Sequence, residues 1–475
     1  MTNSSDPIAM DACAVVDALR AGDLTPHDLL DALERRIADV DPKVNALPTL
    51  CFDRARAHAD QLMKQPKDKR GRLAGLPVPI KDLTEVAGVR STQGSPIFAE
   101  HVPEDSNVLV EHLEADGGII YAKSNTPEFG AGANTFNEVF GATLNPWNTS
   151  RSAAGSSGGA AVALATGMAW VAHGSDMGGS LRNPASFCGV VGLRPSIGRV
   201  AHTPKGKMDE TLSVEGPMAR NVEDLALLLD AMSGEEPPDA LSLPRLPMSF
   251  LNSARSGEKP RKVAYSANLG ITPVDPEVAA ITRRAADQLA DAGIAVEEAH
   301  PDFSEAHECF QVLRAVDFAV KRVGLLRQHR DLLKPEVVWN IEKGLALTMD
   351  EIARAETQRV ELMKRAAKFF ETYDLLLCPA TIVAAFPIEQ RYLAECAGQK
   401  FDNYVEWLAI VYAITLACCP ALSLPCGFTR EDLPVGLQIV GPPRSEARVL
   451  AGAKFLEDRL GLRGRTPIDP RVKHR

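Results

Sequence analysis

From Leu73 to about Asp230 the chain alternates short apolar runs with glycine-rich turns, and this texture constrains its fold more than any other feature. Leu76-Pro77-Val78-Pro79-Ile80 and Gly118-Ile119-Ile120-Tyr121-Ala122 are too short for helices and are bounded by turn residues, so they read as buried strands. Ala160 to Ala165 is a run of small residues that reads as a helix. Strands and helices alternating in this way make an α/β core.

The flanking segments carry their own signals. Thr25-Pro26 is a cap followed by proline at the first helical position, opening Leu29, Leu30, Leu33 and Ile37 at helical spacing until Asp41-Pro42 stops the run. A further helix is expected over Phe52 to Met63. Residues 234–262 are rich in Pro, Ser and Gly and read as a surface connection. A strand–helix–strand pattern follows: Val263-Ala264-Tyr265, a helix opened by Asp275-Pro276, then Ile294-Ala295-Val296. Residues 305–372 read as mainly helical, and strand-like text returns at Asp374–Cys378, Pro420–Pro425 and Val435–Val440. The expected organisation is an N-terminal helical part (1–72), a core (73–230), a variable insertion (231–372) and a return to the core (373–475).

Composition excludes several classes. With 475 residues, 45% hydrophobic and 24% charged, the chain has the makeup of a soluble globular protein, and its net charge of −10 carries no overall basic footprint for nucleic acid. Nine cysteines, an odd number with no Cys-x-x-Cys pair, sit largely in apolar runs, as expected of reduced thiols in a cytoplasmic protein. The first 20 residues carry Asp6, Asp11 and Asp17 and lack a basic-then-apolar leader. Trp407 to Thr429 has no charged residue and is long enough to span a bilayer, but Pro420, Pro425 and Gly427 interrupt it. It is expected to be a buried helix to about Ala417 followed by a core strand, with no membrane partner.

Two serine-bearing glycine turns carry the chemical signal: Gly155-Ser156-Ser157-Gly158-Gly159 and Gly174-Ser175-Asp176-Met177-Gly178-Gly179-Ser180. The first matches Gly-x-Ser-x-Gly with Ser157 as nucleophile, but that elbow requires a preceding apolar strand, and Asn148 to Ser152 reads as loop. No phosphate-loop or dinucleotide motif is present, although the glycines before Ala160 leave anion binding at a helix N-terminus as an alternative. The ten histidines form no metal-binding pair, and His173, the one beside the site, reads as structural. A hydroxyl nucleophile without a histidine needs another base. Lysine serves when neutral, because burial lowers its pKa, and Lys81 follows a run apolar enough to be a buried strand. A lysine facing solvent at the strand end is the competing reading.

The motifs in order resemble the amidase signature family. They are Pro79-Ile80-Lys81-Asp82, Lys123-Ser124-Asn125-Thr126-Pro127-Glu128, Gly141-Ala142-Thr143-Leu144-Asn145-Pro146-Trp147, the two glycine-serine turns, Phe187 to Pro195, Gly216 to Arg220 and Pro420 to Pro425. The resemblance implies one large α/β domain with a mixed central sheet flanked by helices. It implies Ser180 as nucleophile, Ser156 as a bridging serine held through a cis peptide bond, and Lys81 as base. Backbone N–H groups of Met177, Gly178, Gly179 and Ser180 would form the oxyanion hole. Two segments depart from the pattern common in the family: Ala153-Ala154-Gly155 stands in place of Pro-Gly-Gly, and Met177 in place of an isoleucine.

Within that family, glutaminase subunits of tRNA-dependent amidotransferases commonly read Ser-Leu-Asp-Gln where this chain has Leu212-Ser213-Val214-Glu215. A stand-alone hydrolase of a small aryl or alkyl amide is therefore expected, with esters or carbamates as further substrates and no cofactor or metal. A homodimer is compatible with that reading. The alternatives are a catalytically silent binding protein and the glutaminase component of an amidotransferase. Segments around 305–345 and Phe386–Tyr404 are candidate lids, and Phe310, Leu313 and Trp339 suit either an apolar substrate or core packing.

Overall fold

A computed structural model describes residues 6–202 and 210–473. Two sheets organise the single domain. The smaller has three strands, β1 (Thr49–Leu50), β2 (Pro77–Lys81) and β3 (Ile119–Ser124), in the order β1-β3-β2. Its β2 and β3 run parallel with Lys81 opposite Ser124, and both strands are wholly buried. That explains their continuous apolar text, since a strand covered on both faces has no reason to alternate.

The larger sheet is mixed. Its strands are β4 (Val171–Asp176), β5 (Val191–Arg194), β6 (Val214–Ala219), β7 (Lys262–Tyr265), β8 (Ala295–Glu298), β9 (Leu375–Pro379), β10 (Ala421–Phe428) and β11 (Pro434–Val440), in the order β8-β7-β9-β11-β10-β5-β6-β4. Residues 262–298 thus supply one edge of this sheet, with β7 parallel to both β8 and β9. The other pairings are antiparallel. The helix opened by Thr25 spans Pro26–Val40 and closes a capping box with Asp28, and Phe52–Met63 is helical as expected. The 234–262 connection contains a helix, Phe250–Arg255, capped by Ser249.

The helix Gly158–Ala165 lies buried beside β4 and the smaller sheet, and its small residues allow close approach. A Cβ on Gly159 would stand 2.3 Å from the Asn125 nitrogen and 2.5 Å from the Ala46 oxygen. The charge-free Trp407–Thr429 stretch divides into the buried helix Ala409–Leu416 and strand β10. No helix of the described residues is long and apolar enough to cross a membrane. All nine cysteines are free thiols, and all but Cys51 and Cys418 are buried.

Candidate active site

Lys81 ends β2 and is fully buried, so the solvent-facing alternative fails. Its Nζ lies 2.7 Å from Ser156 Oγ, 3.0 Å from Ser157 Oγ and 3.0 Å from Ser175 Oγ. No carboxylate of the described residues touches it. Burial lowers its pKa to about 7, against the weaker opposing pull of Glu215 and Asp176. The strand is locked to β4 through its backbone: Lys81 N–H donates to His173 Nδ1 at 3.2 Å, and His173 Nε2 lies 2.8 Å from Glu215 Oε2. His173 therefore holds the lysine strand in place and does not touch the serines.

Ser156 follows a cis peptide bond from Gly155. Ser157 sits at the N-terminus of the helix Gly158–Ala165, where its hydroxyl donates to the Ser175 carbonyl at 3.3 Å. It is fully buried and does not line the cavity, whereas Ser156 and Ser180 do.

The second glycine turn hangs from a buried carboxylate. Asp176 accepts from Gly179 N–H at 3.0 Å and Leu181 N–H at 3.1 Å, and is clamped by Arg182 through Nε at 3.0 Å and Nη2 at 2.8 Å. Burial alone would raise its pKa; Arg182 and Arg194 outweigh that and hold it below the usual carboxylate range. Arg182 also donates to the Val411 carbonyl at 2.9 Å and to Gln438 Oε1 at 2.6 Å, tying the turn to the charge-free helix and to β11. Gly179 has φ +96°, and a Cβ there would stand 2.5 Å from Val411 Cγ2.

Of the four amides expected at the oxyanion hole, that of Gly179 donates to Asp176 Oδ1 at 3.0 Å. The amides of Met177, Gly178 and Ser180 carry no hydrogen bond among the described residues.

Ser156, Ser175, Met177, Gly178 and Ser180 face a cavity of about 110 Å³ whose other walls include Phe129, Phe310, Phe318, Tyr404 and Leu408. It shares Phe129, Lys321 and Arg322 with a neighbouring cavity of about 450 Å³. Phe310 reaches the cavity from the long helix Ala306–His329; Leu313 is instead buried in the core beside it, and Trp339 lies edge-on to Tyr404. Among the described residues no group of three or more His, Cys, Asp or Glu side chains is arranged to hold a metal ion. Sequence reading gave no role to Ser175, Asp176 or Arg182. For Ser175 a signal existed: it stands two residues from His173 on β4, so both point to the same face of the strand, toward Lys81.

Comparison with known proteins agrees with this architecture. A family model described as Amidase matches residues 28–450. An acylamidase from Rhodococcus erythropolis is 32% identical over 468 residues, covering 98% of each chain. A glutamyl-tRNA(Gln) amidotransferase component from Halothermothrix orenii is also 32% identical, over 95% of this chain and 97% of its own. The solved structure of a 6-aminohexanoate cyclic dimer hydrolase superposes with a TM-score of 0.87 at 28% identity, covering 97% of this chain and 99% of that one. The chain belongs to the amidase signature family of hydrolases and is an amidase.

Proposed function

We propose that the chain hydrolyses a small amide through a Ser180–Ser156–Lys81 relay and an acyl-enzyme. The observation that carries this reading is the Lys81 amine, buried without a carboxylate partner and 2.7 Å from Ser156 Oγ. A neutral amine has a lone pair to accept a proton, so Lys81 takes one from Ser156, and Ser156 takes one from Ser180. The Ser180 oxygen then bonds to the amide carbon, and the carbonyl oxygen becomes an anion. The free amides of Met177, Gly178 and Ser180 are the donors for that anion, each worth roughly 3–4 kcal/mol in such sites. Protonated Lys81 returns its proton through Ser156 to the leaving nitrogen as the C–N bond breaks. Water, deprotonated by the same relay, releases the acid.

The aromatic and aliphatic cavity wall suits an aryl or alkyl amide. Copies of this one chain, monomeric or homodimeric in a reducing cytoplasm, suffice for the reaction. Amidotransferase components among the relatives support a second reading, glutaminase action within a larger complex. Against it, Glu215 is committed to His173 in the segment where those proteins read differently. The three hydroxyls around Lys81 argue against a silent binding protein. The test is a panel of anilides, aliphatic amides, esters and carbamates with purified protein alone. Amine release from at least one amide is expected. No turnover, with ammonia released from glutamine only when the other amidotransferase components are added, would favour the second reading.

A further inference from the structure

The long helix Ala306–His329 presents Phe310, Arg314, Asp317, Phe318, Lys321 and Arg322 to the cavity, a spacing that places all six on one helical face. The charges on this face do not balance. Lys321 takes up both carboxylates, Asp317 at 2.7 Å and Glu210 in close contact. Arg314 and Arg322 are left with none among the described residues. Arg314 is 7% exposed; among the described residues its Nε has no partner, and its other nitrogens meet only Met177 Sδ at 3.2 Å and the Tyr404 hydroxyl at 2.8 Å. Arg322 has a buried Nη1 without a partner among the described residues and lies over the Phe129 and Phe318 rings at 5.1 and 4.5 Å.

A buried arginine is ordinarily paired, because desolvating a guanidinium without an anion is costly. Arg314 Cζ lies 4.4 Å from the Phe318 ring centre, a cation–π contact that holds the guanidinium in the cavity wall, and its fork of N–H donors matches the two oxygens of a carboxylate. The position is set as well. Phe310 reaches 3.2 Å from where a Gly178 Cβ would stand, and Arg314 is one helical turn further on, a rise of about 6 Å. We infer that this cavity takes an amide bearing a carboxylate, separated from the reacting carbonyl by a short apolar spacer and received by Arg314 with Arg322 behind it. The inference rests on the amidase reading and adds the substrate class.

Calorimetry on the S180A protein tests it with two matched pairs: succinanilate against butyranilide, with the charge on the acyl side, and 4-acetamidobenzoate against acetanilide, with the charge on the amine side. In at least one pair the carboxylate form is expected to bind at least 30-fold more tightly than its neutral counterpart. S180A/R314M should reduce that ratio below 3, and S180A/R322M, altered at a less enclosed position, should reduce it at least threefold. Equal binding within both pairs, or a preference that survives both arginine variants, overturns the inference. Turnover of the same compounds by the native protein judges the amidase reading separately: carboxylate preference without turnover keeps the subsite and rejects the reaction.

Discussion

Replacing Lys81 by methionine removes the amine while keeping a side chain of similar length, and its consequences differ for stability and for rate. Burial lowers the lysine from 10.5 to about 7, and at 1.36 kcal/mol per unit this is a difference of roughly 5 kcal/mol between the protonation states. Below pH 7 the lysine is protonated in folded and unfolded chains alike, so the native protein bears that whole cost. Between pH 7 and 10.5 the unfolded chain still holds a proton that the folded chain has lost, so native stability rises with pH. By pH 9 roughly 2 kcal/mol of the cost remains. The K81M protein lacks this term, so its stability minus that of the native protein should fall by about 3 kcal/mol between pH 6 and pH 9. Urea unfolding followed by tryptophan fluorescence at both pH values measures that difference, and a constant loss of hydroxyl contacts in K81M cancels from it. In the same reasoning kcat/KM of the native enzyme rises tenfold per pH unit up to about 7 and then levels, while K81M loses about 10²–10⁴ in rate together with the acid limb. A stability difference that is flat or grows with pH would refute a neutral lysine base.

D176N leaves Arg182 and Arg194 buried without their carboxylate, and breaking such a pair costs about 3–5 kcal/mol, so unfolding should move to markedly lower urea. Its kcat should fall at least about 100-fold because Gly179 and Leu181 lose the anchor of their amides; native-like values in both assays count against the anchoring role. G179A places a Cβ 2.5 Å from Val411 and 2.7 Å from Asn183 at a φ of +96°, so amide turnover should drop by about 10² or more while far-ultraviolet circular dichroism is retained. Glu457, raised to about 7 by burial, holds a proton between pH 4.5 and 7 that the unfolded chain releases, so the stability it contributes is lost as pH rises through that window. E457Q should therefore be more stable than the native protein by about 3 kcal/mol at pH 8, with the gain shrinking toward pH 5 in urea titrations.

Local text carried much of the fold. Thr25 and Pro26 mark a helix start because a cap needs only neighbouring residues. The buried strand ending at Lys81 is readable because its apolar run is unbroken. Motif order identified Lys81, Ser156 and Ser180 as the candidate residues. The polar support around them was not legible, because it is assembled across the chain. Arg182 joins Asp176 six residues away to Gln438 at a separation of 256, and nothing local announces that pairing. The use of the Gly179 amide by Asp176 is likewise a property of the folded turn; composition shows only a glycine. The unpaired state of Arg314 depends on Lys321 having taken both nearby carboxylates, one of them more than a hundred residues earlier.

The role proposed for Ser180, a nucleophile driven by Ser156 and Lys81, is tested by reaction of the purified protein with a fluorophosphonate, followed by mass spectrometry of the labelled peptide. One adduct on Ser180 is expected in the native protein, none in S180A, and much slower labelling in S156A and K81M. An unlabelled native protein, or an adduct that persists in S180A, contradicts the account.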